Sequence, residues 1–238
     1  MDDSDGAGQA MRRGGEFVIA YMTLTATAGA AERDNMTTVV TGHSTSLDGF
    51  IAGADDSPEQ PLGVGGDRLF DWFSDGDTPS RYYPEFKMSA LSAAFFDEYA
   101  GRVGAVITGR RTYDVSEAWG GSGPLPGAPL FVLTHRVPDT VPTGDPPYTF
   151  VTEGGIERAV EQARTAAGGK DVDLMGATTV QQCLRAGLLD ELIIHLVPVV
   201  LGRGARPLDG LEPGSVEFDL VRVVDAPGVT HLTYRVVK

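Results

Sequence analysis

Short apolar runs rich in β-branched residues recur along this chain from Thr38, and stretches with helical spacing separate them. The runs cover residues 38–44, 103–108, 130–134, 149–151, 172–175 and 192–201. Alternation of this kind constrains a chain to a mostly parallel sheet flanked by helices, because parallel neighbours need crossover connections. The run at 192–201 is nearly continuous, as expected of a strand buried on both faces. Residues 216–224 and 230–237 flank Pro227-Gly228 and read as an antiparallel hairpin that closes the sheet.

Helices are expected over 89–101, from Arg110, over 156–167 and over 178–186, where Gly187 is the stop. In the first of them Leu91, Phe95, Phe96 and Tyr99 share a spacing that packs on a sheet. Residues 53–84, rich in Gly, Pro and Asp, form a long insert. Its Leu69, Phe70, Trp72 and Phe73 either cover a pocket or pin the insert to the core.

Charge narrows the range of partners. Lys and Arg number 19 against 33 Asp and Glu, a net −14, and that field repels nucleic acid phosphates and anionic lipid heads. The partner to expect is a small molecule. A single cysteine, Cys183, cannot close an internal disulfide, and a reducing, cytoplasmic setting follows as the expectation. His43, His135, His195 and His231 are scattered without ligand spacing, so no metal is expected. Residues 36–238 read as one domain. Residues 1–35 read as a leader without stable structure ahead of a second start at Met36. The alternative is a weak secretory signal, with Arg12 and Arg13 before an apolar stretch and Ala28-Gly29-Ala30 behind it. That stretch is shorter than the ~20 apolar residues that span a bilayer.

Two strand-to-helix turns carry the chemistry. They are Ile107-Thr108-Gly109-Arg110-Arg111-Thr112 and Leu174-Met175-Gly176-Ala177-Thr178-Thr179. A helix start exposes unpaired N–H groups, and glycine lets an anion approach the backbone. Leu133-Thr134-His135-Arg136 adds hydroxyl, imidazole and guanidinium at a strand end, where α/β sheets meet their ligands. Arg110, Arg111 and Arg136 suit the extra phosphate of NADPH; the competing reading pairs them with surface carboxylates.

The chain resembles the dihydrofolate reductase-like fold, and within it the C-terminal reductase domain of the bacterial deaminase-reductase of riboflavin biosynthesis. The residues that carry this are Ser46-Leu47-Asp48-Gly49-Phe50-Ile51-Ala52, Gly104 to Tyr113, Leu125-Pro126-Gly127, and Met175-Gly176-Ala177 with Leu184 to Leu192. His195, Pro198 and Leu201-Gly202-Arg203-Gly204 follow in the same order. The resemblance implies a three-layer α/β domain with NADPH lying across the sheet. It implies that Gly109, Arg110, Arg111, Thr112, Thr134, His135 and Arg136 hold the adenosine phosphates. Gly176, Ala177, Thr178, Thr179 and Val180 would cradle the pyrophosphate. Ser44 and Ile51 match positions at the nicotinamide carboxamide, Asp48 shapes the loop over the ring, and His195 faces substrate. Two bland readings stay open beside these: Asp48 as a turn residue, and His195 as a satisfied core histidine.

The chain departs from the pattern in two places. Ala177 stands where a second glycine is usual, and Ala93 or Ala94 stands where folate-reducing relatives carry an acid, with Asp97 and Glu98 one turn away. Folate reduction therefore loses its acid/base support. No deaminase zinc signature occurs. The activity expected is NADPH-dependent reduction of a pyrimidine- or pteridine-like compound by a homodimer. The alternatives are a nucleotide-binding module without turnover and a reductase using a flavin-type cofactor.

Overall fold

The structure is a computed structural model that describes residues 37–238. The leader expected at 1–35 lies outside the described residues. In chain order the strands are β1 (Val39–Ser46), β2 (Ala52–Gly53), β3 (Thr78–Pro79), β4 (Lys87–Met88), β5 (Val103–Gly109), β6 (Leu130–Leu133), β7 (Thr149–Val151), β8 (Asp171–Met175), β9 (Glu191–Val197), β10 (Gly204–Ala205), β11 (Phe218–Ala226) and β12 (Val229–Val236). The α-helices are α1 (Ala90–Arg102), α2 (Arg110–Val115), α3 (Gly155–Ala166) and α4 (Ala177–Arg185). Two 3-10 segments lie at Gly66–Ser74 and Glu117–Gly121.

The main sheet has eight strands in the order β11-β12-β9-β1-β8-β5-β6-β7. From β9 to β7 all neighbours are parallel, while β12 joins β9 antiparallel and β11 completes the hairpin. This is the α/β architecture that the alternating runs predict. Alternate side chains of a strand point to opposite faces. Ala105 and Ile107 of β5 accordingly join one core with α3 and α4, while Val106 joins another with Tyr113 of α2. A third cluster sets Leu69, Trp72 and Phe73 of the first 3-10 segment against Ala93 of α1 and Val197 of β9.

Some details differ from the sequence reading. The strand expected to reach Leu201 ends at Val197, because Pro198 has no N–H to continue the ladder. Helix α1 passes Gly101 by one residue and starts after Ser89, whose side chain accepts the Ser92 N–H. Leu91, expected to pack on the sheet, is exposed, since the buried side of α1 runs through Ser92, Ala93 and Phe95. The long insert is ordered by its large apolar residues: Leu69, Trp72 and Phe73 are buried. Burying three large apolar side chains contributes several kcal/mol, at roughly 1.5–3 kcal/mol each.

Beneath α1, Gly42 leaves room for the Tyr99 ring, which a β-carbon would meet at 2.9 Å. The Tyr99 hydroxyl donates to Asp173 Oδ1 at 2.5 Å. Burial pushes the Asp173 carboxyl up to about 7 from its ordinary 3.8. The folded state thus holds a proton that the unfolded chain has released, so this group's contribution is largest below its ordinary value and is lost as pH rises towards 7. Asp173→Asn keeps an acceptor for Tyr99 and has nothing to titrate. Denaturation at several pH values is expected to show the natural protein losing stability relative to this variant, by on the order of 3 kcal/mol between about pH 4 and about pH 8, at about 1.4 kcal/mol per tenfold change in proton affinity. A flat difference would show that Asp173 is not protonated in the fold.

Candidate functional site

Parallel strands end at the same edge of a sheet, and the turns leaving them face one another. The turns that follow β1, β8, β5, β6 and β7 line a single cleft of about 680 Å³. Helices α4, α2 and α3 all begin there, each with first-turn N–H groups that have no partner within the helix. Gly176 precedes α4 with φ 95 and ψ 148, a conformation that only glycine adopts without strain. A β-carbon on it would also lie 2.7 Å from Thr112 Oγ1, so the turns after β8 and β5 touch.

Most of the residues expected to hold a cofactor meet in this cleft. Ile51, Gly109, Arg110, Arg111, Thr112, Thr134, His135, Gly176, Ala177, Thr178 and Thr179 all line it. Their side chains divide the work. Thr178 is exposed, whereas the Thr179 hydroxyl is committed to the carbonyls of Met175 and Gly176 at 2.7 Å each. Thr134 donates to the Arg136 carbonyl at 2.9 Å and so shapes the turn after β6. Val180 does not line the cleft, because its side chain is buried in the core beneath α4.

The arginines do not form one free cationic cluster, as had been expected for an extra phosphate. Arg110 Nε binds both oxygens of Asp114, at 2.8 and 2.9 Å. Arg111 grips Asp56 through Nε and Nη2, at 3.0 and 2.8 Å. One cause is local and one distant: Asp114 follows Arg110 by four residues on α2, whereas the insert carries Asp56 to the cleft rim. Arg136 is exposed and makes no ion pair among the described residues. Arg110 Nη1 donates to its backbone carbonyl at 3.2 Å, which sets the Arg136 main chain beside Arg110, but Arg136, unlike Thr134 and His135, does not line the cleft.

Three other predicted residues sit elsewhere. The Ser44 side chain faces away from the cleft, and its Oγ accepts the Trp72 indole N–H at 3.0 Å. His195 is buried beside that indole, ring centroids 5.1 Å apart, with its Nδ1 2.8 Å from His231 Nδ1. Burial drives both imidazoles towards the neutral form, His231 down to about 4 and His195 well below its ordinary value. His231 Nε2 in turn meets Ser92 Oγ at 3.1 Å, so the pair is satisfied within the core. The Asp48 carboxylate accepts from Ser46 Oγ, Leu201 N and Gly202 N, and the Ser46 bond is the main reason it falls to about 2. It fastens the turn after β1 to the loop after β9 and opens on a smaller cavity of about 310 Å³, not on the main cleft. Asp97, held by Ser80 and the Arg81 N–H, and Glu98, paired with Arg222, also lie away from the cleft.

Several lining residues carry no motif in the sequence. His43 Nε2 accepts the Gly176 N–H at 3.2 Å, and its Nδ1 lies 3.0 Å from Thr41 Oγ1. Because Thr41 Oγ1 donates to the Leu174 carbonyl, Nδ1 carries the proton. Burial lowers this imidazole to about 4, which keeps the accepting nitrogen free for Gly176. Asp56, Pro61, Leu62 and Phe70 arrive from the insert, and Trp119 from the second 3-10 segment. Glu117, Ala118 and Trp119 have φ of 46, 53 and 48, a left-handed turn that costs roughly 1–2 kcal/mol per residue. Tyr148 holds it by donating to the Ala118 carbonyl at 2.6 Å.

The family model described as the RibD C-terminal domain matches residues 37–232. Among solved structures, a putative riboflavin biosynthesis protein from Shewanella sp. PV-4 is 25% identical with a TM-score of 0.62, covering 85% of this chain and 100% of that one. RibD of Acinetobacter baumannii is 18% identical with a TM-score of 0.55, over 86% of this chain, which spans 59% of that protein. A dihydrofolate reductase from Enterococcus faecalis shares the fold at 16% identity and a TM-score of 0.50, over 84% of this chain and 97% of that one. No curated protein matches the sequence. The sheet order, the cleft at its edge and a match across nearly all the described residues lead to one conclusion: the chain belongs to the RibD C-terminal domain family.

Proposed function

We propose that this protein binds NADPH across the edge of its sheet and reduces a small heteroaromatic compound, pyrimidine- or pteridine-like. The observation that carries the proposal is the convergence of three helix starts and the Gly176 turn on one cleft. A Thermotoga maritima protein of the same fold is described as a 5-amino-6-(5-phosphoribosylamino)uracil reductase. The Enterococcus faecalis reductase is described as complexed with NADP(H).

When bound, the reduced coenzyme supplies hydride, and the chain's contribution is placement. The first amides of α4 and the Thr178 hydroxyl would hold the coenzyme's pyrophosphate. His43 occupies the Gly176 N–H, so that turn is fixed before any ligand arrives. Arg136 offers a free guanidinium to a phosphate monoester, while Arg110 contributes one already shared with Asp114. The Arg111 guanidinium holds Asp56 below the usual carboxylate range, which makes Asp56 a poor proton donor for a reduction.

Calorimetric titration with NADPH tests this reading directly, and saturation at one site is expected. Absence of binding would falsify it. Gly176→Ala strains the turn and crowds Thr112, and its NADPH dissociation constant should rise at least about tenfold, with circular dichroism checking the fold. Arg136→Ala should weaken NADPH about tenfold while changing NADH less than about twofold, because only NADPH carries the additional phosphate. Equal losses for both coenzymes would remove Arg136 from the phosphate site.

A further inference from the structure

We infer that the β1 end of the cleft is a slot for an uncharged, planar aromatic compound and that it disfavours phosphorylated substrates. This rests on the reductase reading of the same cleft. The slot is walled by Ile51, Pro61, Leu62 and Phe70, all apolar. Phe70 differs from its neighbours in the 3-10 segment: Leu69, Trp72 and Phe73 are 0%, 1% and 9% exposed, whereas Phe70 is 36% exposed. Three rings or chains of that segment build the core, and the fourth presents its ring to the cleft. An open aromatic ring favours a flat partner.

Charge at this end points the same way. The cation beside the slot, Arg111, is matched by Asp56 in a two-point ion pair. A substrate phosphate arriving there meets a carboxylate and must displace it, within a chain of net charge −14. A neutral ring leaves the pair intact. The space between β1 and β9 beneath α1 is not an alternative, since the Trp72 indole fills it against Ser44 and His195.

A bound reduced coenzyme would be the reductant: it would supply hydride to an electrophilic carbon of the ring compound, and the displaced π pair would take a proton from water.

Naphthaldehyde and naphthyl phosphate share a ring and differ in charge, so titrating each into the full chain by calorimetry, without coenzyme, isolates the slot. Naphthaldehyde is expected to saturate one site, with naphthyl phosphate at least about tenfold weaker. Phe70→Ala should weaken naphthaldehyde at least about fivefold, with Phe70→Tyr restoring most of it. Asp56→Asn, which releases Arg111, should bring naphthyl phosphate to within about twofold of naphthaldehyde. Tighter binding of the phosphate to the natural chain, or no loss in Phe70→Ala, overturns the inference. NADPH titrated into the same proteins separates the two readings. If NADPH binds and naphthaldehyde does not, the slot is wrong and the reductase reading stands. If naphthaldehyde binds through Phe70 and NADPH does not, the slot stands and the reductase reading falls.

Discussion

Backbone donors that have no partner inside a helix must find one outside it, and in this protein three helix starts direct them into the same space. Parallel pairing from β9 to β7 brings this about, because it puts the carboxyl ends of those strands, and the turns that leave them, along one edge. Gly176 sharpens the arrangement with a conformation closed to other residues, and His43 fixes the turn from below by accepting its N–H. The cleft is therefore a consequence of topology before it is a consequence of any side chain.

A second constraint comes from the insert between β2 and α1. Trp72 packs against Phe73 and both core histidines and donates to Ser44, which ties the insert to β1 and covers His195 of β9, the residue that the resemblance turns towards substrate. The same insert supplies Phe70 and Asp56 to the rim. One segment thus closes one region and furnishes another, and the polarity of the cleft follows: amides and hydroxyls along β8, β5 and β6, apolar walls beside β1.

Much of this was legible beforehand. Gly176 announces a strand-to-helix turn because its positive φ is a local backbone geometry that glycine meets without strain, and local geometry is written locally. Ser44, His195 and Asp48 were harder. Their polarity and position matched a ligand-facing role, yet a polar side chain on a strand can be satisfied equally by another part of the protein. Trp72, His231 and the amides of Leu201 and Gly202 do so here, from 28, 36 and more than 150 residues away. Arg111 pairs with Asp56 across 55 residues, which is the competing reading of these arginines, although sequence does not say which carboxylate they meet.

The amino-acid order alone determined the strands, the helices, the hairpin and the turns that bear glycine, since each depends on periodicity and backbone preference within a short window. Only the tertiary structure decided which charges are free, which aromatic rings face the cleft and which histidines are core, because each of those depends on what a distant segment brings alongside. Arg136 and Arg111 are the same residue type in similar turns. One stays open and the other is matched, through the path of an insert whose course no local pattern records.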